Sequence, residues 1–118
     1  MRKVVSLLTS AFLGSAVNAN KGDQLHFVQE VVRHGARAPT ADTSGFKVSY
    51  GELTAQGMRQ RFLLGTLNRQ RYVDQYELIS DLDWANQVYV QTTLYDRTFQ
   101  SGYSELMGFF PPGSLTDQ

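Results

Sequence analysis

Arg33-His34-Gly35-Ala36-Arg37-Ala38-Pro39 places two guanidiniums, an imidazole, a glycine and a proline within seven consecutive residues. Each of these types suits a phosphate site. Two arginines four residues apart on one loop can turn two planar donor forks toward a single dianion. An imidazole between them can present an unprotonated nitrogen to phosphorus and form a covalent intermediate. Glycine allows close backbone approach, and proline stiffens the exit of the loop. Five specified positions at about one in twenty each coincide in about 3 × 10⁻⁷ of start sites, so a basic turn with an incidental histidine explains the cluster poorly. The cluster points to phosphoryl chemistry without saying which reaction.

The flanking sequence predicts the elements that would position this loop. Leu25 to Val32 (LHFVQEVV) is apolar and β-branched with partial alternation, which predicts a strand. The loop follows the carboxyl end of that strand, where open α/β sheets place their ligands. Thr40 to Glu52 contains Asp42, Ser44, Gly45 and Gly51 and reads as a loop. Thr54 is placed to cap a helix over Ala55 to Tyr72. On that helix Met58 and Phe62 share a face, while Leu63, Leu64 and Leu67 spread around the rest, as in a helix covered on more than one side. Gln87 to Thr93 (QVYVQTT) predicts a second strand, with Asp96 capping a helix from Arg97 to Phe110. Phe99, Tyr103, Leu106 and Phe110 recur at spacings of 4, 3 and 4, a core stripe ended by Pro111-Pro112. The order strand, helix, strand, helix predicts an α/β fold with a parallel sheet and right-handed connections. Two strands and two helices do not cover both faces of such a sheet, so the chain is expected to be the first portion of a larger α/β domain.

The 118 residues carry 11 basic and 11 acidic side chains, which gives no support for an electrostatic nucleic-acid binder. With no cysteine there is no disulfide, thiolate nucleophile or Cys-based zinc site. Any histidine chemistry has two candidates, His26 and His34, of which His26 reads as a structural residue on a half-buried strand face. Arg59, Arg61, Arg69 and Arg71 point in different directions around their helix and are expected to be solvated or ion-paired. At the start, Met1-Arg2-Lys3 is followed by an uncharged run from Val4 to Val17 and the small-residue pattern Val17-Asn18-Ala19. That layout predicts a signal peptide over residues 1–19, hence export, and a mature portion over 20–118 with no membrane segment of its own. Its removal would leave nine basic and eleven acidic groups.

The RHGARAP segment resembles the signature of the histidine acid phosphatases, the branch of the phosphoglycerate-mutase-like superfamily that includes prostatic and lysosomal acid phosphatases. Leu53-Thr54-x-x-Gly57-Met58-x-Gln60, followed by Leu64-Gly65 and Arg71-Tyr72, looks like that family's first long helix. Gln87-Val88-Tyr89-Val90 with Thr92-Thr93-x-x-Asp96-Arg97-Thr98 looks like its second strand and the turn after it. Gly108-Phe109-Phe110-Pro111-Pro112 resembles the end of its next helix. The likeness covers residues 25 to 112.

The resemblance implies a secreted or lysosomal phosphatase acting on small phosphate monoesters without metal or organic cofactor. His34 matches the nucleophile that forms a phosphohistidine, Arg33 and Arg37 the phosphate-binding arginines of the signature, and Arg97 a third arginine that completes the clamp. An ion pair with Asp96 or Glu30 is the other use open to Arg97. The family also uses a later His-Asp pair, whose aspartate protonates the leaving oxygen; no third histidine occurs here, so no general acid is assigned. Leu94 stands where the family often has an acid before the Asp-Arg pair. Two other readings stay open: a non-catalytic secreted fragment with weak phosphate binding, and a phytase-like phosphatase of the same superfamily. Oligomeric state is not legible.

Overall fold

Thr54 has extended backbone and its hydroxyl accepts the Gly57 N–H at 3.1 Å, and this cap starts α1, Ala55–Arg69. The structure, a computed structural model, describes residues 24–113. The expected signal peptide lies outside the described residues. The chain divides into two units between Arg33 and His34. In the second unit α1 continues into a π-helical turn, Gln70–Gln75, followed by a short α2, Trp84–Gln87, and by α3, Asp96–Phe109.

The two long helices stand close to their expected positions, with local differences. The π turn takes over where Tyr72 was expected to end an α-helix, and Tyr76 donates to the Arg71 carbonyl five residues back. Apolar spacing carries no signal for that widening. The wider turn keeps Tyr72 buried, with its ring 6.4 Å from that of Phe109. Asp96 is the first residue of α3 and Tyr95 its N-cap, so the carboxylate favours the positive helix end without capping it.

The expected strands are not formed among the described residues. Leu25 to Val32 has no ladder, and Gln87 closes α2 before a stretch from Val88 to Thr93 that has none either. The only pairing among the described residues is an isolated antiparallel bridge between Arg37 and Leu53. Alternation records which faces of a strand would be covered, but a strand also needs a neighbour to take its N–H and C=O groups. His26 is exposed, not half-buried. No helix of the described residues is long and apolar enough to cross a membrane.

α1 and α3 pack through small and polar residues, which reverses the expected stripe. A Cβ on Gly65 would overlap the Glu105 carbonyl oxygen, and one on Gly108 would overlap that of Phe62. The helix backbones therefore touch, and Glu105 is paired with Arg61 and accepts the Asn68 amide at 3.1 Å. With that face taken, Phe99, Tyr103 and Met107 of α3 are exposed, as are Met58, Phe62, Leu63 and Leu67 of α1. Only Phe110 of the outer aromatic positions is buried, stacked between Trp84 at 4.5 Å and Phe109 at 4.3 Å.

A second ion pair ties the π turn region to the loop before α2. Arg69 donates to both Asp81 oxygens, at 2.8 and 2.5 Å. This hydrogen bond holds the Asp81 carboxyl below its ordinary 3.8. Such a group contributes stability that is complete above the unfolded value and is lost as pH falls through the lower folded value. Both side chains are partly solvated, so the contribution is at most about 1 kcal/mol. On acidification below about pH 4, Asp81→Asn should lose less stability than wild type in urea titrations; equal losses would show that the pair contributes nothing.

Candidate active site

The loop from His34 to Pro39 is fixed through the backbone of Gly35, Ala36, Ala38 and Pro39. Ala36 is held at both ends: its N–H donates to Gln60 Oε1 at 3.0 Å, and its carbonyl accepts the Thr54 hydroxyl at 2.8 Å and the Thr54 N–H at 3.0 Å. Ala38 N–H donates to the Glu52 carbonyl at 2.9 Å, and Gly51 N–H to that of Pro39 at 3.0 Å. Ala38 and Leu53 are the most buried apolar residues described, at 0% and 1% exposure, so the hydrogen bonds beside them are shielded from water. Gly35 and Gly57 meet backbone to backbone: a Cβ on either would overlap a carbonyl oxygen, that of Gly57 or of Ala36. The residues Leu53, Thr54, Gly57 and Gln60, which entered as a stretch of helix motif, are therefore the cradle of the histidine loop.

A third anchor comes from α3. Gly35 N–H donates to the Ser101 hydroxyl at 3.1 Å, a buried bond between residues 66 apart in sequence. Sequence reasoning missed Ser101 and Gln60 as site residues. The available signal was position: Ser101 lies one helical turn after Arg97, and Gln60 lies one turn after Gly57.

His34 is half-buried, and its Nδ1 stands 2.8 Å from the Gly35 carbonyl oxygen. A carbonyl only accepts, so a neutral ring held by this contact has its proton on Nδ1 and its lone pair on Nε2. Arg37 is half-buried on the same loop, with Nη1 donating to the Ala38 carbonyl at 2.9 Å. This single bond leaves most of the fork's five donors for another acceptor. Arg97, in the first turn of α3, lies with its guanidinium carbon 4.2 Å over the Tyr95 ring. Its Nε is buried without a hydrogen-bond partner. Its Nη1 is 3.6 Å from the point a Cβ would occupy on Gly51, the residue paired with Pro39. His34, Arg37 and Arg97 are thus tied to one framework of loop and helix. Arg33 is exposed and ends the first unit.

Over residues 40–118 the sequence matches the profile of the histidine phosphatase superfamily (branch 2), a stretch that includes Arg97 and begins just after the RHGARAP segment. "Putative acid phosphatase 11" of Caenorhabditis elegans is 36% identical over 99% of this chain and 30% of its own length. Prostatic acid phosphatase of Mus musculus is 32% identical over 88% of this chain and 28% of its own length. Lysosomal acid phosphatase of Homo sapiens is 34% identical over 77% of this chain and 22% of its own length. The chain therefore spans less than a third of the length of these curated relatives. The superfamily fold is α/β, and to it, through the acid phosphatases, this chain belongs: it is a member of the histidine phosphatase superfamily, branch 2.

Proposed function

We propose that this chain carries the phosphate-binding and nucleophilic part of an acid phosphatase that acts on small phosphate monoesters. The observation that carries the proposal is the 2.8 Å contact of His34 Nδ1 with the Gly35 carbonyl oxygen, which in the neutral ring leaves the Nε2 lone pair for phosphorus. In the first step the Nε2 lone pair forms an N–P bond as the P–O ester bond breaks, and the leaving oxygen departs with a proton. Water then attacks phosphorus, the N–P bond breaks, a water proton restores the donor, and inorganic phosphate and the free imidazole return. Arg37 and Arg97 supply guanidiniums to the equatorial oxygens as charge builds there, and the family resemblance gives Arg33 the same role. The unpartnered Nε of Arg97 supports that role, because a buried donor with no acceptor is costly and an anion removes the cost. The proton donor is a role the family resemblance gives to a later His-Asp pair, and the sequence holds no histidine besides His26 and His34. The basic start, apolar run and Val17-Asn18-Ala19 support export along the secretory route, and one relative is named lysosomal.

Competition by inorganic phosphate against an aryl phosphate ester tests the clamp. Charge-assisted hydrogen bonds of about 1.5–3 kcal/mol predict that Arg37→Ala or Arg97→Ala raises the phosphate inhibition constant about 10- to 150-fold. An unchanged inhibition constant in both variants would refute the clamp.

A further inference from the structure

We propose that Ser101 is a positioning residue that sets the register between the loop carrying His34 and the helical turn carrying Arg97, an inference that rests on the reading of the site given above. A serine hydroxyl has one proton and two lone pairs. Here the proton goes to the Arg97 carbonyl at 2.6 Å, and a lone pair takes the Gly35 N–H at 3.1 Å. Back-bonding to the carbonyl four residues earlier is routine in helices. Thr66 does so to Phe62 at 3.1 Å and Ser104 to Gln100 at 2.7 Å. Ser101 differs in receiving the second bond, from a distant segment, while only 4% exposed.

The consequence is geometric. With its proton committed to Arg97, the hydroxyl directs its lone pair at the residue after the nucleophile. The backbone of Arg97 and the backbone beside His34 are then separated by one oxygen atom and two hydrogen bonds. Gln60 and Thr54 fix the same loop from α1 but make no bond to the Arg97 turn. The cost of misplacement at a reacting centre is steep, about 100-fold in rate for about 1 Å. Ser101 touches neither phosphate nor nucleophile in this arrangement and acts through the two residues it joins.

The test is a double-mutant cycle in the full chain, read as affinity for inorganic phosphate by titration calorimetry. Ser101→Ala is expected to weaken phosphate binding about tenfold, and to slow phosphorylation of His34 by an aryl phosphate about 10- to 100-fold. In an Arg97→Ala background, adding Ser101→Ala should change the affinity less than about twofold, because the residue it places is gone. Gln60→Ala should remain additive with Arg97→Ala, which separates a specific link from a general loosening of the loop. Ser101→Thr keeps the hydroxyl and should retain affinity within about threefold, with helix content followed by circular dichroism. Additivity of Ser101→Ala with Arg97→Ala, or equal coupling for Gln60, would overturn the proposal. The cycle is read from binding alone, so it stays decisive if histidine phosphorylation fails and the catalytic reading falls with it.

Discussion

Replacing His34 with alanine is expected to abolish covalent phosphate capture, with a fall of at least about 10⁴-fold in turnover of an aryl phosphate, the scale seen when a nucleophile is removed. The fold should survive the change, because the imidazole is only half-buried and its one hydrogen bond runs to the neighbouring Gly35 carbonyl. The same hydrogen bond sharpens the prediction beyond loss of activity. With the proton on Nδ1, phosphorus must join Nε2, so phosphorus NMR of the alkali-quenched protein should show the Nε2 phosphoramidate. A product on Nδ1 would mean that the Gly35 bond breaks before reaction and that the tautomer argument is wrong. His26 provides the control: it is exposed in the other unit, and His26→Ala should leave the label intact. Wild-type turnover in His34→Ala would remove the nucleophile from this loop altogether.

The sequence made the candidate site more legible than the fold around it. Seven consecutive residues hold His34 and two of the three proposed phosphate-binding arginines, so these candidates could be named from near neighbours alone. Thr54 capped its helix as its type and place predict. The α3 stripe failed for a long-range reason. Gly65 and Gly108 let two backbones touch, and Arg61 with Glu105 fills the seam, so the large apolar residues were left on other faces. Periodicity ranks faces by hydrophobicity, whereas contact here is decided by closeness. The strands failed for a related reason: pleat periodicity does not state which segment supplies the hydrogen-bond partners. Ser101 and Gln60 were missed because each accepts a backbone N–H from a segment 66 or 24 residues away, and nothing in their local pattern announces the partner.

The same logic of closeness gives the largest expected structural effect at a position with no functional group at all. In isolation Gly57→Ala should stabilise α1 by about 1 kcal/mol, since alanine is the better helix former. The packed structure predicts the opposite sign. A Cβ at Gly57 would overlap the Ala36 carbonyl oxygen and come within 2.7 Å of the Ala36 nitrogen and 2.8 Å of Leu53 Cδ1. Two of those three atoms are backbone and cannot swing aside, so the loop and the helix must separate. Separation breaks the hydrogen bonds that join Ala36 to Thr54 and Gln60, each contributing about 1 kcal/mol net, and disturbs the packing around the buried Leu53. The net loss should be about 2–4 kcal/mol, in the range of an overpacked core. It should be accompanied by a fall of about 100-fold in histidine phosphorylation, as the nucleophile loop moves away from Arg97. Urea denaturation and labelling of the same preparations read the two effects separately. If Gly57→Ala instead gains stability, helix propensity outweighs the contact, and the docking of α1 under the histidine loop is not what holds His34 in place.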